Sequence, residues 1–210
     1  MSIAILSEIS ENLQKGKAKI VAELVQKALD EGIAPQTILT EGLLPGMDRV
    51  GVKFRDNEIF VPEVLVAARA MNAGSELLKP LLAEAGAVSL GTAVIGTVHG
   101  DLHDIGKNLV KMMIEGKGIT VVDLGVDVTP ETFVTAAKEN NAGIICCSAL
   151  LTTTMPVMGE VVKAVKEAGL SAKVMVGGAP ITQEFADSIG ADAYTADAAS
   201  AAMKAAELLA

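Results

Sequence analysis

The chain has 210 residues, with 17 Lys and Arg against 26 Asp and Glu, so its formal net charge is −9. An acidic chain with no basic run lacks the cations that bind a phosphate backbone, which argues against a nucleic-acid partner. The sequence shows neither a signal peptide nor a run of about 18 uncharged apolar residues, so we expect a cytoplasmic protein with no membrane partner.

Residues 1–87 show the apolar spacing of helices and no strand pattern. Three apolar residues at helical spacing predict the inner face of the second helix: Ile20, Leu24 and Ala28. The segment 43–46, Leu-Leu-Pro-Gly, predicts a break, and a long helix follows over 61–84. We therefore predict a small bundle of about four or five helices.

From residue 88 onward, short apolar runs alternate with helical segments. The predicted strands are 92–98, 119–122, 143–147, 173–176 and 191–194. Continuous apolar strands in βα alternation indicate a parallel sheet with helices on both faces. The predicted fold is α + α/β: a helical bundle domain (1–87) and then a flavodoxin-like (Rossmann-type), doubly wound, five-stranded parallel sheet (88–210). Such sheets bind ligands beyond the carboxyl ends of their strands.

The usual nucleotide and thiol motifs do not explain this second half. Neither G-x-G-x-x-G nor G-x-x-x-x-G-K-[ST] follows the first strand. The two cysteines, Cys146 and Cys147, are adjacent in a predicted strand, so they point to opposite faces and an ordinary disulfide between them is implausible. We interpret them as buried strand thiols, with a metal or redox pair as the alternative.

Both histidines of the chain lie in the loop after the first strand, His99-Gly-Asp101-Leu-His103-Asp-Ile-Gly106. A carboxylate near Nδ1–H of His103 would leave Nε2 free to bind a metal. One histidine does not complete a zinc site, which takes about four ligands, but it suits a metal held by a macrocycle. Gly106 would let a bulky group approach the backbone. A solvated or capping histidine is the alternative.

Two more loops follow strands at the same predicted edge. After the third strand, the segment 148–154 holds four hydroxyl residues, which favours polar contacts with a ligand. Thr154, two residues before Pro156, also fits a helix N-cap. After the fourth strand, Gly177 and Gly178 permit close backbone approach or form a plain turn.

Together the three loops resemble the cobalamin (corrinoid, B12) binding module, with Asp-x-His-x-x-Gly, then Ser-x-Leu, then Gly-Gly. The stretches 50–54 and 60–71 resemble the cap domain of methionine synthase and of small corrinoid proteins. The chain looks most similar to the corrinoid proteins of three-component methyltransferase systems.

This resemblance implies a cobamide cofactor, methylcobalamin or a related corrinoid, whose cobalt cycles between Co(I) and methyl-Co(III). It makes His103 the lower axial cobalt ligand and joins it to Asp101 and Thr154 in a hydrogen-bonded relay that takes up or releases a proton. The residues implied to line the cofactor cleft are Gly106, Ser148, Leu150, Thr152, Gly177 and Gly178. Three residues of the helical half correspond to apolar residues over the methyl-bearing face, with ordinary bundle core as the alternative: Phe54, Val61 and Val64.

The resemblance also implies a methyl carrier, a component of a methyltransferase system rather than a stand-alone enzyme. A substrate-specific methyltransferase would load it, and a second would pass the methyl group to tetrahydrofolate or to a thiol such as coenzyme M. A reductive activase is a further candidate partner. The alternatives are a cobalamin-dependent sensor, which needs a basic DNA-binding domain, and the small subunit of a mutase, which is usually the bare binding domain. Methanol, methylamines, methoxylated aromatics and betaines all remain open as methyl donors.

Overall fold

The computed structural model describes residues 2–84 and 90–210. The chain divides into two compact units, Met1–Val88 and Ser89–Ala210. The predicted domain boundary between 87 and 88 falls within 85–89, outside the described residues. No helix in the described ranges is both long and apolar enough to cross a membrane.

The first unit is helical, as predicted. Its elements are α1 (Ser2–Gln14), α2 (Ala18–Asp30), α3 (Pro35–Thr37), a π-helical segment (Ile38–Leu43), α4 (Leu44–Arg55) and α5 (Val61–Glu84). Helix α2 packs against α1 and α5.

Two details of the helical prediction are wrong. The buried face of α2 consists of Val21, Val25 and Ala28, whereas Ile20 is 39% exposed. Two neighbouring rows of α2 side chains are apolar, and packing against α1 and α5 decides which row is buried, which periodicity does not encode. The segment 43–46 is not a break, because the π-helical segment continues directly into α4. Its proline lies in the first turn of α4, at the junction where the i→i−5 hydrogen bonds of the π-helical segment end.

The second unit alternates strands and helices close to the predicted positions. Its elements are β1 (Thr92–Thr97), α6 (Ile105–Glu115), β2 (Thr120–Asp123), α7 (Pro130–Glu139), β3 (Ile144–Ser148), α8 (Met155–Glu167), β4 (Lys173–Gly177), α9 (Gln183–Ile189), β5 (Ala193–Tyr194) and α10 (Ala198–Leu209). Within 90–210, five parallel strands form one sheet in the order β2-β1-β3-β4-β5. This is the flavodoxin-like order, and the predicted fold class is confirmed.

The strand register aligns the carboxyl ends of the three central strands. Thr97 of β1 pairs with Ser148 of β3, which pairs in turn with Gly177 of β4. The three predicted loops therefore leave the sheet side by side. Deeper in β3, Cys146 and Cys147 are buried free thiols, and burial raises the pKa of Cys146 to about 12. They are inert strand residues, as interpreted from the sequence.

Candidate functional site

A buried carboxylate, Asp101, forms the centre of the site at this edge. Its Oδ1 accepts hydrogen bonds from the backbone N–H of His103 (3.1 Å) and from Nδ1 of the same residue (2.7 Å). Its Oδ2 accepts from the backbone N–H groups of Leu150 (2.8 Å) and Leu151 (3.1 Å) and from the hydroxyl of Thr154 (2.9 Å). One side chain thus joins the loop after β1 to the loop after β3.

These hydrogen bonds determine the charge of Asp101 and the tautomer of His103. Burial by itself raises the pKa of Asp101, but the donors from Leu150, His103 and Thr154 hold it well below its usual range. The carboxylate is therefore ionised at neutral pH, and the proton in the contact with His103 lies on Nδ1. In the neutral imidazole, Nε2 then carries a lone pair. The ring is 51% exposed, and Nε2 has no hydrogen-bond partner among the described residues.

Thr154 occupies the N-cap position of α8, but its hydroxyl does not cap the helix. The hydroxyl lies within 2.9 Å of both Asp101 Oδ2 and the carbonyl oxygen of Leu151. Both are acceptors, so the single hydroxyl proton is shared between them. The contact between Thr154 and Asp101 expected from the resemblance is present, and the capping alternative is not observed.

Thr97 also positions the histidine, and sequence reasoning missed it. This residue ends β1 and is fully buried, and its hydroxyl donates to the backbone carbonyl of His103 (2.8 Å). The available signal was a hydroxyl at the last position of an otherwise apolar strand.

A second missed residue, Asp127, comes from the loop between β2 and α7. Its backbone N–H donates to the carbonyl of Asp101 (3.1 Å). Its Oδ1 accepts from the backbone N–H of Gly100 (2.8 Å) and lies 2.7 Å from Nδ1 of His99. The Gly100 N–H group and the His99 imidazole lower the pKa of Asp127. Its only sequence signal is an acidic residue shortly after a strand.

A third missed feature is an ion pair below the loops. Lys107 of α6 is buried, and its Nζ lies 2.5 Å from Oδ1 of Asp123, the last residue of β2. Lys111 contacts the other oxygen at 3.2 Å, and the N–H of Gly125 donates to the first (3.0 Å). Desolvation raises the pKa of Asp123, but Lys107 and Gly125 bring it below the usual value. The pair fixes α6, which follows the histidine loop, to β2.

The other residues predicted for the cleft lie at the same edge. Ser148 and Gly177 are half-buried at strand ends, and the side chains of Leu150 and Thr152 are exposed. Gly178 has a φ of +134°, and a Cβ there would lie 1.9 Å from the carbonyl oxygen of Ala149. This glycine therefore allows the loops after β3 and β4 to pack backbone to backbone.

The three residues predicted to cover the methyl-bearing face lie in the helical unit. Phe54 and Val61 are half-buried, whereas Val64 is fully buried. Val64 lies on the buried face of α5 with Ala67 and Met71, as expected of bundle core. Contact of the three with a cofactor remains a prediction.

The residues around His103 fit a metal complex that brings its own equatorial ligands. Within the described parts of the chain, no group of three or more His, Cys, Asp or Glu residues could hold a bare metal ion. A single imidazole with a free Nε2 is the donor at this site. Beside it, Leu102 and Ile105 are 71% and 78% exposed, and a Cβ on Gly106 would meet no atom within 4 Å. Exposed apolar side chains and open space next to the ligand suit a flat, bulky macrocycle.

Comparison with known proteins agrees with this geometry. The B12 binding domain family matches residues 91–206, and a second B12 binding domain family matches residues 5–79. The chain is 47% identical over 209 residues to dimethylamine corrinoid protein 1 of Methanosarcina acetivorans, covering 98% of each. It is 47% identical over 180 residues to trimethylamine corrinoid protein 1 of Methanosarcina mazei, covering 84% of this chain and 83% of the relative.

A solved structure extends the comparison to the fold. The methanol:cobalamin methyltransferase complex of Methanosarcina barkeri contains a chain that superposes with a TM-score of 0.87 at 31% identity. The match covers 98% of this chain and 80% of that one. With its two B12-binding matches and its full-length corrinoid relatives, the chain belongs to the corrinoid proteins of methyltransferase systems and binds a cobamide.

Proposed function

We propose that this protein carries a methyl group between two methyltransferases and that its methyl donor is a methylated amine. The observation that carries the methyl-carrier role is the His103 imidazole, whose Nε2 is left free by the bond from Nδ1 to Asp101. The donor class is supported by the dimethylamine and trimethylamine corrinoid proteins, to which the chain is 47% identical, against 31% for the methanol system.

The residues of the chain have separable tasks in this role. When bound, the cobamide supplies the cobalt atom that accepts and gives up the methyl group. Asp101 keeps the proton of His103 on Nδ1, which leaves the lone pair of Nε2 free, so His103 would hold the cobalt of the cofactor. Whenever Nε2 is not coordinated it can take up a proton, and the ionised carboxylate balances the imidazolium.

The hydrogen bonds of Asp101 and Thr154 support His103 as the residue of the relay that takes up the proton. Asp101 keeps its charge because five hydrogen-bond donors stabilise the carboxylate, two from His103 and one each from Leu150, Leu151 and Thr154. Thr154 directs its own proton to two acceptors. The proton of the predicted relay is therefore taken up at His103, while Asp101 and Thr154 hold the imidazole in place.

The loops after β3 and β4 would hold the nucleotide tail of the cofactor. Ser148, Thr152 and the Gly177–Gly178 backbone offer hydrogen-bonding groups next to the histidine loop. Cover of the methyl-bearing face by Phe54, Val61 and Val64 is proposed from the family resemblance. Its test is Phe54→Ala, which should speed the light-driven loss of the methyl group from the loaded protein with little change in cobamide affinity.

The proposed partners are a methylamine-specific methyltransferase, an acceptor methyltransferase that uses a thiol or a tetrahydrofolate, and a reductive activase. A cytoplasmic location remains the prediction made from the sequence.

The deciding experiment uses the full chain loaded with a cobamide and reduced to Co(II). With ¹⁵N-labelled histidine, the electron paramagnetic resonance spectrum should show splitting from one histidine nitrogen, absent in His103→Ala and retained in the matched control His99→Ala. Methyl transfer is then measured with methyltransferases for methylamines and for methanol. Splitting that is unchanged in His103→Ala would refute the axial assignment, and loading by the methanol enzyme alone would refute the donor class.

A further inference from the structure

Asp127 has a backbone conformation that is uncommon for any residue other than glycine. Its φ is +57°, in the left-handed region, where glycine is the residue with the lowest cost. Within the described residues only two other non-glycine residues have a positive φ, Asn57 and Asn141. Aspartate tolerates this conformation because its short side chain can hydrogen-bond to nearby groups, so the contacts of the Asp127 carboxylate are the relevant observation.

That side chain holds the turn that leads to the axial histidine. Asp127 Oδ1 accepts from the N–H of Gly100 at 2.8 Å and contacts Nδ1 of His99 at 2.7 Å. The backbone N–H of Asp127 donates to the carbonyl of Asp101 at 3.1 Å. Three consecutive residues, 99–101, are therefore bound to this one aspartate.

Asp101 is thus held from two sides by loops that follow different strands. The loop after β3 holds its carboxylate through Leu150, Leu151 and Thr154, and Asp127 from the loop after β2 holds its backbone. His103 lies two residues after Asp101, and its backbone N–H and its Nδ1 both form hydrogen bonds with the Asp101 carboxylate. Any shift of the 99–101 turn moves the carboxylate that orients the imidazole.

On the basis of the proposed function, we propose that Asp127 is a positioning residue for the axial histidine. By fixing the 99–101 turn it fixes the Asp101 carboxylate, and through that carboxylate it fixes the tautomer and direction of the His103 imidazole. Asp127 acts through Asp101 and needs no contact of its own with the cofactor.

The test compares three variants of the full chain. Asp127→Gly removes the side chain and keeps a residue that favours the observed φ, so the fold is retained. Asp127→Asn keeps an oxygen that can accept from Gly100 and His99 and removes only the charge. Asn141→Gly is the matched control, because Asn141 has a φ of +48° and lies before β3, at the opposite end of a strand from the site. Thermal unfolding of each variant checks that the fold is intact.

The first measurement needs no cofactor. In the ¹⁵N-histidine spectrum of the cobamide-free chain, the Nδ1 proton of His103 should exchange with water about threefold faster in Asp127→Gly. Asp127→Asn and Asn141→Gly should match the parent. Since the chain has 2 histidines, His99→Gln assigns the signals.

The second measurement uses the cobamide-loaded Co(II) form at one fixed pH. The ratio of histidine-free to histidine-bound cobalt should rise about three- to tenfold in Asp127→Gly, the effect of one or two net hydrogen bonds, and less than about twofold in Asp127→Asn. Parent-like values in Asp127→Gly for both measurements would overturn the proposal, as would an Asp127→Asn variant as impaired as Asp127→Gly. If the parent shows no histidine splitting, the proposed function fails, while the cofactor-free spectrum still tests the link from Asp127 to His103.

Discussion

Replacing Asp101 with asparagine tests how the carboxylate controls the histidine, because one accepting oxygen becomes a donating NH₂ group. If the NH₂ group takes the place of Oδ2, the N–H groups of Leu150 and Leu151 both lose their acceptor. If it takes the place of Oδ1, only the N–H of His103 does. The second orientation leaves fewer donors unpaired, so we expect the NH₂ group to face the imidazole.

An NH₂ group facing Nδ1 of His103 reverses their hydrogen bond. The imidazole then accepts at Nδ1 and carries its proton on Nε2, so the ring remains in place but has no lone pair to offer a metal. The unpaired N–H of His103 is only partly buried, so the free energy of unfolding should fall by about 1 kcal/mol, the low end of the cost of an unpaired buried donor. Binding of cobalt requires the other tautomer of His103, so the new hydrogen bond to Nδ1 must first break. If breaking it costs about 1.4 kcal/mol, the ratio of histidine-bound to histidine-free cobalt falls about tenfold.

The assay is the ¹⁵N spectrum of histidine-labelled, cobamide-free protein at a pH where the imidazole is neutral. Protonated and unprotonated ring nitrogens have distinct chemical shifts, so the tautomer of His103 is read directly. The matched control is Asp104→Asn, which makes the same change of charge next to His103. Among the residues of 2–84 and 90–210, the Asp104 side chain accepts only from Asn108. The reasoning is refuted if Nδ1 stays protonated in Asp101→Asn, or if histidine-bound cobalt persists at the parent level.

Three further predictions concern stability, each measured by urea unfolding. Gly178→Ala should cost about 3 kcal/mol because its Cβ meets a neighbouring carbonyl oxygen, whereas Gly169→Ala, also at positive φ but with open space around it, should cost about 1 kcal/mol. Asp123→Ala should cost about 3 kcal/mol because it leaves the buried Lys107 unpaired, whereas Lys111→Ala, which removes the more exposed cation of the same carboxylate, should cost less than about 1 kcal/mol. Because the pKa of Asp123 is lower in the folded state, its ionised carboxylate contributes to the free energy of unfolding above about pH 4, and this contribution is lost as the pH falls further. Acid should therefore destabilise the parent more than Asp123→Ala. Equal acid sensitivity of the two proteins would contradict this.

The fold could be predicted because the sequence pattern of each strand and helix in the βα units is local, within a short stretch of chain. Continuous apolar runs bounded by polar turns gave all five strands of the described sheet within a few residues. The errors arose where a choice depended on contacts distant in the sequence. In α2 two apolar rows of side chains compete, and the helices around it select Val21 over Ile20. At Pro45 the local signal indicates a stop, but a first-turn proline is compatible with a continuing helical path.

Residue spacing alone predicted contacts within one loop of the site, and the contact of Thr154 with Asp101 between two loops was expected from the family resemblance. Asp101 and His103 are two residues apart, so their hydrogen bond could be expected from spacing alone. The contacts of Asp127 with the same loop and the pairing of Lys107 with Asp123 depend on strand register, which periodicity does not reveal.

Strand order explains why the contacts that the sequence did not predict are concentrated at the loop after β1. In the order β2-β1-β3-β4-β5, β1 has a parallel neighbour on each side, so its loop meets the loop after β2 on one side and the loop after β3 on the other. Asp127 comes from the first of these neighbours, and Leu150 and Thr154 come from the second. An edge strand would have offered Asp101 one supporting loop and left its backbone or its carboxylate without partners. A histidine meant to hold one direction while its bond to a metal forms and breaks is therefore best placed after an inner strand, where two loops support it.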